Sequence, residues 1–248
     1  MLWYKAWLES RPRFLASLAT LTIFSIIFVQ HALYISCEST FPCRAGFANP
    51  GWRTDFNRVL FIAHQFVAMM WVLTVVLLGM GGVLREKAVG TSPFTLGLPV
   101  SRMRMVVVRI GMGIFQAIIL GFVPWAGIYT VSTLARMPIS ASQAGFYVLL
   151  LVVGGVVYFS MAVLVSSLVS GEYTAPAIAF GIVLLAAVLF DAWLRRFNVW
   201  RLVTGDFSIN RTTYLLSEHL PWAGLLASLI AAILFFTASV IAVQRRDL

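Results

Sequence analysis

Long apolar runs alternate with short polar stretches along the whole chain. The runs cover about 14–35, 58–84, 105–134, 144–170, 174–194 and 221–243. A helix needs about 20 mostly apolar residues to cross a bilayer, and each run reaches that length. The pattern predicts an all-α, polytopic membrane protein with six transmembrane helices, forming a single transmembrane domain over residues 1–248.

The polar stretches carry further predictions. In MLWYKAWLES, Trp3, Tyr4, Trp7 and Leu8 recur at helical spacing, with Lys5 and Glu9 on the other face. This predicts a short N-terminal interfacial helix at headgroup depth; the plainer alternative is the frayed end of the first span. Ser10-Arg11-Pro12-Arg13 is expected to break the pattern and restart a helix. Between the second and third runs lies Arg85–Arg104. Ser92 before Pro93 reads as an N-cap and a first-turn proline, and Ser101 caps whatever begins at Arg102. Pro99 ends the segment Pro93–Leu98 between them. One reading makes this short helix a handle for a soluble partner. The other makes it a polar hairpin that joins two spans.

Within the spans, Gly113, Ala117 and Gly121 form a small-residue ridge where another helix can approach closely. Gly79-Met80-Gly81-Gly82 offers the same at the end of the second span, and Ala223, Ala227 and Ala231 repeat every four residues in the sixth. Pro124 predicts a kink or a divided end in the third. The run from Phe14 is too long for a signal-peptide core and is expected to be a retained span.

Composition supports a membrane class. Hydrophobic residues make up 60% and charged residues 11%, where soluble domains carry about 25% charged. Mean hydropathy is +0.92. The net charge of +9 comes without any like-charged run longer than two residues, which argues against a nucleic-acid partner. Basic residues instead gather at span ends, beside the lipid bilayer. Ten fall on the side of the termini and eight on the other. Arg11 and Arg13 directly precede the first span, so both termini and Arg85–Arg104 are placed in the cytoplasm.

Cys37 and Cys43 share the first long polar loop, with five residues between them. That spacing suits a small disulfide-closed loop on an oxidising side, against two free thiols. Non-reducing peptide mapping is expected to find Cys37 linked to Cys43; labelling of both thiols without reductant would rule the bond out.

Catalytic motifs are sparse. The sequence has no GxxxxGK[ST], no HExxH and no GxSxG. The expectation is therefore no catalytic site, metal or cofactor on this chain. His31, His64 and His219 lie near expected outer boundaries; a metal or haem role for His31 with His64 stands against ordinary interfacial histidines. Asp191 with Arg195 reads as an i,i+4 ion pair, with a proton-relay role as the rival reading. Glu172 caps the turn into the fifth span, and Glu86, between Arg85 and Lys87, marks the exit from the second.

Three pieces in order resemble the membrane subunits of ABC-2 type ABC transporters. They are the amphipathic start Trp3–Ser10, the run from Arg85-Glu86-Lys87 through Gly90-Thr91 and Leu96-Gly97-Leu98-Pro99-Val100-Ser101-Arg102, and the tail Gln244–Leu248. The resemblance covers essentially the whole chain. It implies a permease subunit with six helices in the cell inner membrane, paired with a second membrane subunit as a homo- or heterodimer. It also implies two copies of a separate ABC ATPase subunit, which would bind ATP and Mg. Pro93–Leu98 would be the cytoplasmic coupling helix, with Glu86, Pro93, Phe94, Leu96, Leu98 and Arg102 in contact with the ATPase or holding that contact. Phe94, Leu96 and Leu98 would make the docking contacts. The family is mostly exporters, so export is the implied direction. The basic Arg195–Leu220 segment departs from the pattern, and re-entrant helices there are an open expectation. The alternative function is a membrane scaffold that recruits an ABC ATPase and transports little. An intramembrane enzyme is argued against, because no paired acidic or nucleophilic set lies deep in a span.

Overall fold

The computed structural model describes residues 2–36, 52–80, 102–137, 139–169, 174–193, 198–217 and 219–245. Its elements are α1 Leu2–Ser36, α2 Trp52–Gly79, α3 Arg102–Leu134, α4 Ala141–Leu168, α5 Thr174–Trp193, α6 Val199–Val203 and α7 Trp222–Arg245. Among the described residues there is no strand, only an isolated antiparallel bridge between Ile209 and Leu216. Five helices, α1, α2, α3, α4 and α7, are long and apolar enough to cross a membrane. The chain is an α-helical membrane protein. α5, the expected fifth span, is a shorter apolar helix of 20 residues.

The expected spans map onto these helices with shifted ends. α2 begins at Trp52 rather than 58, and α3 and α4 each begin three residues early, at Arg102 and Ala141. The separate interfacial helix is corrected: residues 2–36 form one helix of 35 residues with Pro12 inside it. A proline inside a helix forfeits its N–H bond and crowds the carbonyl four residues back with its ring, a cost of about 3 kcal/mol, which contacts on either side of Pro12 offset. Ser10 Oγ donates to the Ala6 carbonyl at 2.9 Å, and the Gln116 side chain of α3 donates to Ser10 Oγ at 2.7 Å. Trp3 lies against Gly111, where an added Cβ would sit 2.9 Å from its ring. Of the face read as lying along a membrane, Trp3 touches α3 and Trp7 packs on the core, while Tyr4 and Leu8 stay exposed. Pro124 likewise lies inside an uninterrupted α3.

Contacts fix the relative directions. Trp3 meets Gly111 and Ser10 meets Gln116, so α1 and α3 run parallel. α2 opposes α3, with Trp71 beside Ala117 and His64 beside Trp125. α4 runs with α2, since Trp71 meets Gly155 and Gly79 meets Ala162, and α7 runs with α4, since Ser228 Oγ donates to the Gly154 carbonyl at 2.7 Å and Phe236 meets Phe159.

Trp71 is the centre of the packing. It is fully buried, and its indole N–H donates to the Ala117 carbonyl at 3.1 Å. A buried indole needs such a partner, all the more in a bilayer, where water cannot supply one. The expected ridge on α3 is a packing ridge. Gly113 faces the Phe159 ring, and Gly121 faces Val152 and Trp71. Gly79 approaches α4 so closely that an added Cβ would lie 2.9 Å from Ala162 Cβ. The alanine repeat of α7 does not form its packed face. Leu225, Ser228, Ala232, Ser239 and Val243 are the buried positions there, while Ala223 and Ala227 are exposed.

Candidate functional site

The residues expected to meet a soluble partner fall mostly in 81–101. Glu86, Pro93, Phe94, Leu96 and Leu98 lie outside the described residues, as do Cys37 and Cys43, and Arg102 is the first helical residue of α3. The structure gives the two helix ends that hold this connection. On the α2 side, Arg13 Nη1 donates to the Leu77 carbonyl at 3.3 Å, and Gly79 and Met80 are buried. That carbonyl is in the last turn of α2, where carbonyls lack helical partners and a cation complements the dipole. On the α3 side, Met105, Val106 and Val108 are buried. Arg109 Nη2 lies 2.7 Å from Glu9 Oε2, and Lys5 Nζ lies 3.7 Å from Glu9 Oε1.

These ion pairs orient more than they stabilise. Glu9 and Lys5 are well exposed, and pairs of this kind contribute about 0–1 kcal/mol. The Ser10–Gln116 bond is different. Gln116 is fully buried, and Ser10 Oγ is the acceptor for its amide N–H, while its Oε1 is left without a partner among the described residues. The end of α2 and the first turns of α3, on either side of 81–101, are thus both tied to α1.

No family model matches the chain, and no curated protein or solved structure matches it either. Function is read from geometry and from the sequence pattern alone.

At the opposite end, the segment after α5 folds into the bundle. The Asn198 side chain caps α6 by accepting from Trp200 N at 2.9 Å. Leu202 then wedges between Gly154 of α4 and Gly224 of α7, where added Cβ atoms would lie 3.3 and 3.1 Å from it. Gly154 is about 20 Å along α4 from Ala141 at ~1.5 Å per residue, so the segment dips deep between the helices. Gly205, at φ +75°, turns the chain back in a conformation that favours glycine. Residues 208–217 return as a narrow loop, with Ser217 N donating to the Ser208 carbonyl at 2.6 Å and Asn210 N to the Leu215 carbonyl at 2.9 Å. Asp206 lies 3.1 Å from Arg211 and 3.9 Å from Arg201.

Buried polar contacts lock this cap in place. Trp125 Nε1 donates to His64 Nδ1 at 3.3 Å, and His64 Nε2 lies 3.0 Å from the Val203 carbonyl. Only the neutral imidazole with its proton on Nε2 satisfies both contacts. The Tyr147 ring stacks on Trp125 at 4.3 Å and 4°. Both His64 nitrogens are therefore occupied by protein. His31 and His219 are exposed, and no group of three potential metal ligands occurs among the described residues. Asp191 lies in the last turn of α5, but its side chain, Arg195 and Glu172 are outside the described residues. Ser166 and Ser167 at the end of α4 are buried.

Gln143 forms the second lock, donating to the Leu216 carbonyl and accepting from Leu216 N, each at 2.9 Å. Gln143→Ala leaves that buried N–H without its partner, a loss of about 1–3 kcal/mol. Hydrogen exchange at Leu216 is expected to speed up by about tenfold or more, with α2 and α3 unchanged. Equal protection in the variant would show that the clamp is not needed. In the sequence this stretch is a basic, polar segment whose structure stays open. The signal that marks it is the apolar run Val199-Trp200 and Leu202-Val203 between two turn-formers, Asn198 and Gly205.

Proposed function

We propose that the chain is the membrane-spanning permease subunit of an ATP-driven ABC-2 type transporter, working as an exporter. The shorter α5 is its fifth span, which with the five longer helices makes six, and a separate ATPase docks on 81–101 from the cytoplasm. The observation that carries this reading is the way the connection is mounted. The stretch with the family-like Glu86…Arg102 pattern is strung between two helix ends, and both are anchored to α1. A push on it moves α2 and α3 together. Shifting a two-state body from 1:99 to 99:1 takes about 5.5 kcal/mol of differential binding, which ATP-driven closure of a paired ATPase supplies. The re-entrant α6 cap, wedged against α4 and α7, is the element such a movement would displace at the far side.

The scaffold reading has no comparable support, since a passive anchor does not need its docking segment joined to the core. Purification of the tagged chain from its native membranes tests the proposal. A P-loop ATPase is expected to co-purify, and its hydrolysis is expected to rise when the pair is reconstituted. An isolated chain that exports without any ATP-hydrolysing companion overturns it.

A further inference from the structure

The exposed side of α1 continues without interruption from the membrane span into its first turns. Tyr4, Leu8, Arg11 and Leu15 recur at i, i+4, i+7 and i+11, so they stack in one stripe, and all four are exposed. Ile23 and Ile27 carry the exposed side further along the span. The opposite side, with Ala6, Ser10, Phe14 and Leu21, is turned into the bundle. Whatever covers Leu15 and Ile23 therefore also reaches Tyr4, and α1 is long and apolar enough to cross a membrane, where acyl chains would cover this side.

Length places the first turns at headgroup level. At ~1.5 Å per residue α1 measures about 52 Å, against about 30 Å of hydrocarbon and 40–45 Å for the whole bilayer. The apolar run starts at Phe14, so the residues before it lie among the headgroups. The local charge is positive. At this end of the molecule the described residues include six cations, Lys5, Arg11, Arg13, Arg104, Arg109 and Arg245, and a single carboxylate, Glu9. Glu9 is held by Arg109 and Lys5, and Arg13 reaches the Leu77 carbonyl. Arg11 is on the lipid side of the helix, one turn beyond Leu15.

We propose that Tyr4, Arg11 and Leu15 form a binding site for an anionic phospholipid, with Lys5 on the adjoining stripe adding charge. Leu15 meets the acyl chains. The Arg11 guanidinium takes two phosphate oxygens in its planar fork. Tyr4, one step further out, offers its hydroxyl to the headgroup, as aromatic residues do at membrane interfaces. A soluble protein on this stripe is the rival occupant, and the continuity with Leu15 and Ile23 favours lipid. The site does not depend on what the protein transports.

The test uses the full-length chain in mixed phosphatidylglycerol and phosphatidylcholine bilayers. Native mass spectrometry is expected to show phosphatidylglycerol retained in preference, falling about fivefold for each cation removed in Arg11→Gln and Lys5→Gln. Arg136→Gln, at the other end of the molecule, should change nothing. In the unmodified chain, a photoactivatable phosphatidylglycerol should cross-link within residues 2–15. That readout stands even where a variant fails to fold. Equal retention in folded Arg11→Gln, a cross-link confined to other helices, or a co-purified protein covering residues 4–15 overturns the proposal.

Discussion

Trp71→Ala is expected to destabilise the helical bundle by about 3–5 kcal/mol, the range for truncating a buried large aromatic. Trp71 fills the space where α2, α3 and α4 meet, and three small residues are shaped to it. Gly155 lies under the ring, Gly121 beside the indole nitrogen, and Ala117 supplies the carbonyl that accepts its N–H. Truncation empties that space and removes the bond together. The complementary change, Gly155→Leu, puts a side chain where the ring already is and costs about 1–3 kcal/mol by overpacking. Reversible denaturant titration in mixed micelles measures both. The order predicted is Trp71→Ala worse than Gly155→Leu, with both worse than Leu226→Ala on the exposed face of α7. Near-identical midpoints for all three would mean that the helices do not meet at Trp71.

Under the proposed function, Leu96→Asp is expected to remove most of the chain's effect on the partner ATPase. An apolar anchor at the centre of a docking surface is worth about 2 kcal/mol or more, or roughly 30-fold in affinity. A charge there adds the penalty of burying a carboxylate. Hydrolysis by the reconstituted pair should fall to the level of the ATPase alone, and Phe94→Asp should do the same. The melting transition of the chain should stay in place, because α2 and α3 keep Trp71, Gly113 and Gly121 in register. Full stimulation by Leu96→Asp would remove Pro93–Leu98 from the docking surface.

The helices were legible in the sequence because their signal is local. A run of 20 apolar residues needs no knowledge of its neighbours, and the Gly113–Ala117–Gly121 spacing announces a close approach on its own. Pro12 shows where local reading stops. Ser10-Arg11-Pro12-Arg13 has the residues of a helix break, yet Gln116, more than a hundred residues away, holds Ser10 inside a continuous helix. The α6 cap was hidden for the same reason. Arg195, Arg196, Arg201 and Arg211 make the segment look like a surface loop, while its placement depends on Gln143 and Gly154 of α4, His64 of α2 and Gly224 of α7, all distant in the chain or outside the segment. His64 could be read only as an interfacial histidine or a ligand, since its role is set by Trp125 and Val203. The docking residues rest on the pattern Glu86…Arg102; the structure adds the anchored helix ends on either side.

The most direct measurement is the sidedness of tags placed at both termini, within 90–95 and at 210–213, read by membrane-impermeant labelling of intact cells. The account predicts that the terminal tags and the 90–95 tag are reached only after the membrane is opened, while the 210–213 tag is labelled from outside. A 90–95 tag labelled in intact cells, or termini found on opposite faces, would contradict both the six-span arrangement and the cytoplasmic docking segment.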